Sequence, residues 1–181
     1  MLSNQQNQIK NACSTFPKLR TFIQIKNFSQ TSPCLTLPLT FPLRSVMTTT
    51  RLGCLPLRLE TGRYSRPRLP PEERICVVCE NQNKNIECIF HLIFQCQLYQ
   101  MERQLWVEKV ILPSNFYILS KEEQLSEVLS NPSNIKQTAK FIVICLDKRS
   151  KMMIKTKSDI QLFHTDPPEN CLLCNNIYVE E

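Results

Sequence analysis

Glycine and aspartate are both scarce in this sequence, and their scarcity excludes two large classes of enzyme. The only glycines among the 181 residues are Gly53 and Gly62, too few for a glycine-rich phosphate-binding loop. The three aspartates, Asp147, Asp159 and Asp166, all lie towards the C-terminus. A two-metal site for phosphoryl transfer needs clustered carboxylates, and these aspartates do not supply a cluster. We therefore expect neither a nucleotide-binding loop nor a metal-dependent phosphoryl transferase.

Histidine, the commonest residue of acid–base catalysis, is also rare. The chain has two histidines, His91 and His164. If His91 binds a metal, little remains for proton transfer to a substrate. The residue inventory therefore predicts that the protein is not an enzyme.

Long apolar segments are missing as well. The longest apolar run, residues 141–146, is far too short to cross a bilayer, and no compact apolar segment follows the basic start as in a secretory signal peptide. Ten cysteines in such a chain indicate a reducing compartment, where thiols bind metals or fill cores. We therefore expect an intracellular protein, nuclear or cytoplasmic, with no membrane partner.

Acidic residues are absent from the first 59 positions, which hold seven lysines or arginines. The other 122 residues carry 15 basic and 16 acidic side chains, so the overall charge of +6 belongs to the N-terminal part. Residues 1–50 are rich in Ser, Thr, Asn, Gln and Pro, which predicts a disordered basic arm. Such a composition also resembles a mitochondrial transit peptide, although no clear basic amphipathic helix stands out.

Cysteine, in contrast, is abundant, and four residues have the spacing of a structural zinc site: Cys76, Cys79, His91 and Cys96. Thiolate sulfur and imidazole nitrogen suit Zn²⁺, and four such ligands leave no open position for a substrate water. His91 and Cys96 lie about 140° apart on an ideal helix, so they converge only where the backbone is irregular. We predict a structural Zn²⁺ site; the alternative is a set of free buried thiols beside a core histidine.

Other cysteines leave the metal question open elsewhere. Cys88 lies near the predicted site, where it can be an alternative ligand or a packing residue. Cys171 and Cys174, with His164 upstream, form a second group of three potential ligands without an evident fourth.

Helical patterns dominate the part of the chain that follows the zinc ligands. A helix is expected to begin near Cys96 and to place Trp106 in the core. Ser120 and Glu123 have the spacing of a capping box that opens a second helix, and Pro132 lies near the start of a third. Before the ligands, Leu55, Leu57 and Leu59 alternate with polar or proline residues, which predicts a short edge strand.

These patterns together predict a small α+β zinc-binding unit, of treble-clef or C2HC finger type, followed by two or three α-helices. The expected domains are a disordered basic arm (1–50), a zinc-binding unit with its following helix (51–112), a helical extension (113–157) and a flexible tail (158–181).

A basic, proline-rich segment precedes the zinc ligands. Its prolines favour an extended path, and its arginines and tyrosine can hold phosphates and stack on a base. The residues expected to contact nucleic acid are Arg63, Tyr64, Arg66, Arg68 and Arg74. The alternative is a solvated linker packed on the zinc unit, in which Arg74 offsets the negative charge of a three-thiolate zinc centre.

The motifs of this region also resemble a known family. They are the run Leu57-Arg-Leu-Glu-Thr-Gly-Arg-Tyr64, then Glu73-Arg-Ile-Cys76 with Cys79, and His91-Leu-Ile-Phe-Gln-Cys96-Gln-Leu-Tyr99. Over roughly residues 50–150 they are similar to the reverse-transcriptase zinc-binding family, found near the C-terminal end of reverse transcriptases from invertebrate non-LTR retrotransposons. Glu87 fits the acidic residues that this family has before its histidine, whereas Cys88 departs from them.

The resemblance implies that Cys76, Cys79, His91 and Cys96 are the zinc ligands and that the segment binds nucleic acid beside a polymerase. No polymerase core accompanies it here, because no aspartate precedes Asp147. We therefore expect a zinc-stabilised module that binds RNA or DNA. The alternatives are a protein-interaction module and a decayed transposon-derived fragment with no selected function.

Overall fold

The computed structural model describes residues 11, 21–22, 32–79 and 84–159 of the chain. It divides into two units, Met1–Cys145 and Leu146–Glu181. The described residues are mostly helical and contain no strand; an isolated antiparallel bridge joins Ile75 to Ile86. The helical part of the predicted fold is therefore confirmed, and its β part is wrong for the described residues. The predicted flexible tail lies outside them from residue 160 onwards.

The α-helices of the described residues are α1 (Pro33–Thr36), α2 (Phe41–Leu52), α3 (Arg58–Thr61), α4 (Gln100–Val107), α5 (Lys121–Ser130) and α6 (Pro132–Asp159). Short 3₁₀ turns cover Pro71–Glu73, Gln97–Tyr99 and Phe116–Ile118, and a π-helical turn covers His91–Gln95. None of these helices combines the length and the apolar character needed to cross a membrane.

Helix α2 lies where the sequence predicts the end of a disordered arm. The side chain of Met47 is completely buried, and the buried guanidinium of Arg51 donates to the carbonyl of Leu129 and to Ser130 Oγ at the end of α5. These contacts hold α2 to the rest of the unit. Because α1 and α2 lie in the range predicted to be disordered, the structure differs from the predicted arm over residues 32–50. The remainder of the arm, apart from residues 11 and 21–22, lies outside the described residues.

Helix α3 replaces the second half of the predicted edge strand. Leu55 and Leu57 are buried as expected, but the chain turns into a helix at Arg58. The cause is Glu87, a buried residue whose carboxylate accepts a hydrogen bond from the Arg58 amide at 2.7 Å. A carboxylate at this position satisfies an amide that the first turn of a helix leaves without a partner.

Helix α4 begins at Gln100, after a 3₁₀ turn, slightly later than predicted. Trp106 is buried in the core, as the sequence predicts. Its ring stacks on Phe141 at a centroid distance of 5.0 Å, and its Nε1 donates to Thr138 Oγ1 at 3.3 Å. Two other large apolar residues of α4, Met101 and Leu105, are exposed.

Helices α5 and α6 form where their signals predict them. Ser120 Oγ accepts from the Glu123 amide at 3.3 Å, and the Glu123 carboxylate accepts from the Ser120 amide at 2.8 Å, which confirms the capping box. On α6, Asn134 is completely buried and its side-chain amide makes two hydrogen bonds to the backbone of Ile111, at 2.7 and 2.8 Å. This pair fixes the segment between α4 and α5 to α6.

The second unit contains the end of α6. Within it, Ser150 Oγ donates to the carbonyl of Leu146 at 2.9 Å. Lys151 forms an exposed ion pair with Asp147 at 2.7 Å, a contact that stabilises a helix only slightly.

Candidate metal centre

The first two candidate ligands lie at a tight turn beside the isolated bridge. The Cys79 amide donates to the carbonyl of Cys76 at 3.1 Å, which closes the Cys-x-x-Cys turn. The Cys76 amide donates to the carbonyl of Asn85 at 2.8 Å, and the Glu87 amide donates to the carbonyl of Arg74 at 2.9 Å. These bonds hold the turn against residues 84–87, which lead directly to the next ligand.

The second two ligands lie at the ends of the π-helical turn. The Cys96 amide donates to the carbonyl of His91 at 2.7 Å, a bond that spans five residues instead of the four of an α-helix. Such a turn brings residues five positions apart towards the same side. The irregular backbone that the sequence predicts between His91 and Cys96 is therefore confirmed, and its form is a π-turn.

The four ligand atoms of Cys76, Cys79, His91 and Cys96 lie within 4.8 Å of one another. The sulfur of Cys96 is 3.9 Å from that of Cys76 and 4.0 Å from that of Cys79. Zinc–sulfur bonds in a tetrahedral site place two sulfurs about 3.8 Å apart, whereas a disulfide places them about 2.05 Å apart. All four residues are buried. The geometry is therefore that of a site that can hold a metal ion.

His91 provides a second observation that bears on whether this cluster can hold a metal ion. The residue is 1% exposed, and within the described part of the chain neither ring nitrogen makes a hydrogen bond. Buried polar atoms are normally paired, and an imidazole nitrogen without a partner is costly. A metal ion would satisfy one of the two nitrogens, so the residues present fit the predicted metal.

The contact between two of these thiols, those of Cys76 and Cys96, shifts their pKa values in opposite directions. The hydrogen bond from Cys96 lowers the pKa of Cys76, and the nearby imidazole of His91 contributes to the same shift. The same contact with Cys76 raises the pKa of Cys96, and burial adds to that increase. Without a cation the two sulfurs share a proton, and a divalent ion would favour the thiolate form of both.

Arg103 belongs to the surroundings of the site, although the sequence analysis did not single it out. Its Nε donates to the carbonyl of Ile93 at 2.7 Å and its Nη2 to the carbonyl of Cys96 at 2.7 Å. Burial lowers the pKa of this guanidinium, while the charges of Cys96, Cys145 and Cys79 act to raise it. The position of Arg103, seven residues after a ligand on an amphipathic helix, gives no local sequence signal of this role.

The residues predicted to contact nucleic acid have different surroundings. Tyr64 is 63% exposed, and Arg66 and Arg68 are exposed. Arg63 is largely covered and pairs with Glu60 at 3.1 Å. The structure therefore presents three of the predicted contact residues on the surface and turns a fourth inwards.

Arg74 is the fifth of these residues, and its position differs from the predicted surface contact. The side chain is buried, and its guanidinium donates to the carbonyls of Leu69 and Leu59 at distances of 2.7 to 3.0 Å. These bonds give hydrogen-bond partners to one carbonyl of the loop, that of Leu69, and to one carbonyl of α3, that of Leu59. Arg74 is therefore a structural residue that ties the basic segment to α3.

Gly62 explains how Arg74 reaches this position. A Cβ atom on Gly62 would lie 2.8 Å from Arg74 Cγ and 2.8 Å from the carbonyl oxygen of Arg58. The glycine thus makes room for the buried arginine. In the sequence, Gly62 appears within the motif that resembles a known family, and nothing there indicates that a side chain packs against it.

Cys88 does not belong to the cluster of four. Its sulfur accepts from the His91 amide at 3.5 Å, and its carbonyl accepts from the Leu92 amide at 3.0 Å, so it positions the turn that carries His91. The structure therefore does not place Cys88 as an alternative metal ligand. Cys171, Cys174 and His164 lie outside the described residues.

No protein-family model, curated protein or solved structure matches this chain. Its function therefore has to be inferred from the site. Four buried ligands of the Cys₃His type form a closed set, which favours a structural metal over a catalytic one.

Proposed function

We propose that the protein is a zinc-stabilised module that binds single-stranded nucleic acid. The observation that carries the zinc proposal is the convergence of three sulfurs and one imidazole within 4.8 Å. Tetrahedral sites with this mixture of soft and borderline ligands are typical of Zn²⁺. The resident ion would be held by Cys76, Cys79, His91 and Cys96, and its contribution would be structural.

The metal would join two chain segments, the turn at Cys76 and the π-turn that begins at His91. The turn at Cys76 and the π-turn at His91 are connected by the isolated bridge and a small number of backbone hydrogen bonds. A unit of this size gains most of its stability from the metal when its apolar core is small. We therefore expect zinc binding to be coupled to folding of residues 70–100.

A compact basic loop next to this unit supports the nucleic-acid part of the proposal. The Leu69 amide donates to the carbonyl of Gly62 at 3.1 Å, and Ser65 Oγ donates to the same carbonyl at 2.8 Å. The buried Arg74 fixes the carbonyl of Leu69 from the other side. The loop is thus closed at its base, and it presents exposed tyrosine and arginine side chains at its tip.

These exposed side chains suit an unpaired strand. The ring of Tyr64 offers a face for base stacking, and Arg66 and Arg68 offer charge to phosphates. We further propose that the chain is related to the reverse-transcriptase zinc-binding family. The ligand order and the run Gly62-Arg63-Tyr64 support that relationship.

Metal quantitation tests the zinc proposal. Protein purified without added zinc should contain about one Zn²⁺ per chain, and Cys76→Ser should lose it. Cys54→Ser is the matched control, because Cys54 is an exposed cysteine outside the cluster. Full metal occupancy in Cys76→Ser, or none in the unmodified protein, would contradict the proposal.

Binding to fluorescent single-stranded RNA and DNA at several salt concentrations tests the second part. Removing two phosphate contacts in the double variant Arg66→Ala, Arg68→Ala should reduce the slope of log affinity against log salt by about 1.4. The double variant Lys136→Ala, Lys140→Ala removes the same charge from the exposed side of α6 and should change the slope less. Affinity that does not depend on salt would refute the proposal.

A protein-interaction module is the second candidate, and one surface favours it. Ile111, Tyr117 and Ile118 lie in the segment between α4 and α5 and are 69%, 76% and 84% exposed. Exposed apolar side chains close together in the sequence are typical of interaction sites. Partners that remain bound after nuclease treatment, and that are lost in Tyr117→Ser with Ile118→Ser, would support this candidate.

A further inference from the structure

Arg103 makes the contacts that hold the end of the π-turn. Its guanidinium donates two hydrogen bonds to backbone carbonyls of the turn. Nε donates to the carbonyl of Ile93 and Nη2 to the carbonyl of Cys96, each at 2.7 Å. Because a guanidinium is planar and donates in fixed directions, it sets the separation of the two carbonyls that it bridges. Arg103 therefore constrains the backbone between a buried core residue and the last candidate ligand.

Charge gives Arg103 a second role at the same place. Three thiolates on one Zn²⁺ leave a net charge of about −1, which is costly in a buried site unless a cation lies nearby. The guanidinium of Arg103 is held 2.7 Å from the carbonyl oxygen of Cys96, so its positive charge lies beside the backbone of a candidate ligand. Arg74, the cation that the sequence suggested for this purpose, donates hydrogen bonds to the carbonyls of Leu69 and Leu59.

We propose that Arg103 is the positioning residue of the metal centre, which holds the π-turn in its ligating form and stabilises the thiolates of the metal-bound state. The inference rests on the proposed zinc site. By this inference, one side chain on α4 both positions the last ligand and offsets the negative charge of the cluster.

The test compares the affinity of Arg103→Gln, Arg103→Lys and the unmodified protein for Zn²⁺, measured by competition with a chromophoric chelator. Groups that orient or balance metal ligands typically change metal affinity by about 10–100-fold when they are removed. We expect a loss of that size in Arg103→Gln. Arg103→Lys keeps the charge without the forked donation, so it should recover part of the loss.

Arg51→Gln is the matched control. Arg51 is also a buried arginine whose guanidinium donates to a backbone carbonyl, and burial also lowers its pKa, but its contacts are with Leu129 and Ser130 at the end of α5. Its removal should reduce stability without changing zinc affinity by more than about threefold. Circular dichroism of all variants with zinc bound shows whether each one folds.

A spectroscopic readout separates electrostatic stabilisation from loss of folding. When Co²⁺ replaces Zn²⁺, the sulfur-to-cobalt charge-transfer band reports the energy of the thiolate electrons. Loss of a nearby positive charge should move this band to longer wavelength in Arg103→Gln, and much less in Arg103→Lys. Outer hydrogen bonds and charges tune a metal site in this way.

The outcomes distinguish this inference from the proposed function. If the unmodified protein binds no metal, the zinc proposal fails and the role of Arg103 fails with it. If the unmodified protein binds Zn²⁺ but Arg103→Gln binds it equally well, or no more weakly than Arg51→Gln, only the inference about Arg103 is overturned. An unshifted cobalt band in Arg103→Gln would overturn the electrostatic part.

Discussion

Replacement of Gly62 by alanine sets two physical effects of opposite sign against each other. The backbone of Gly62 has φ −62° and ψ −9°, a right-handed conformation that alanine adopts without strain. On backbone entropy alone, Gly62→Ala would stabilise the protein by about 0.4–1 kcal/mol, because the unfolded chain has fewer conformations to lose.

The packing around Gly62 predicts the reverse. The new Cβ would lie 2.8 Å from the Arg58 carbonyl oxygen, 2.8 Å from Arg74 Cγ and 2.9 Å from Arg74 Cδ. Arg74 cannot move aside freely, since its guanidinium is bound to the carbonyls of Leu69 and Leu59. Overpacking of this kind costs about 1–3 kcal/mol, so we expect a net loss of about 1–2 kcal/mol.

Urea unfolding of the zinc-saturated protein measures this loss. The control is Gly53→Ala, at the only other glycine, which has φ 72° and should lose about 1–2 kcal/mol through backbone strain alone. The variant Arg74→Ala separates the two causes. In that background the cost of Gly62→Ala should fall by at least about 0.5 kcal/mol, whereas the cost of Gly53→Ala should not change. A stabilising Gly62→Ala would refute the packing argument.

Three further predictions follow from contacts of the described residues. Removal of zinc with a chelator should reduce the far-ultraviolet circular dichroism of the unmodified protein to that of Cys76→Ser, and readdition should restore only the former. Asn134→Ala should destabilise by about 1–3 kcal/mol in urea unfolding, because the backbone of Ile111 loses two hydrogen bonds. The hydrogen bonds from Ser120 lower the pKa of Glu123 in the folded state. Their contribution to the free energy of unfolding is therefore present above the unfolded-state pKa of that carboxyl. It is lost as the pH falls through the folded-state pKa. Ser120→Ala should therefore lose more stability at neutral pH than in acid, in urea titrations at both pH values; an equal loss at both would contradict it.

The ligand cluster could be predicted from the sequence because its signal is local. Two cysteines three positions apart close a turn, and a histidine five positions before a cysteine requires an irregular backbone. Each of these two features depends on residues that are close in the sequence, so each can be predicted without knowledge of the tertiary fold. The capping box at Ser120 was predicted for the same reason.

The partners of the buried arginines could not be predicted in this way. Arg51 contacts Leu129, 78 positions away, and Arg74 contacts Leu59 across the basic loop. An arginine on an acid-free segment, as Arg51 is, or after a basic proline-rich segment, as Arg74 is, is expected to be a solvated charge unless the tertiary fold supplies carbonyls for its guanidinium. For this reason composition suggested a disordered arm as far as residue 50 and a surface role for Arg74.

The metal cluster and the helices around Trp106 are joined through the π-turn. Phe94, within that turn, contacts the rings of Trp106 and Phe116 at centroid distances of 6.2 and 5.8 Å. Arg103, on α4, binds the carbonyl at the end of the same turn. A change in the turn must therefore change the packing of Phe94 as well as the position of Cys96, because one short stretch of backbone carries both. The metal would stabilise the neighbouring helical core through this link, although none of its ligands belongs to a helix of that core.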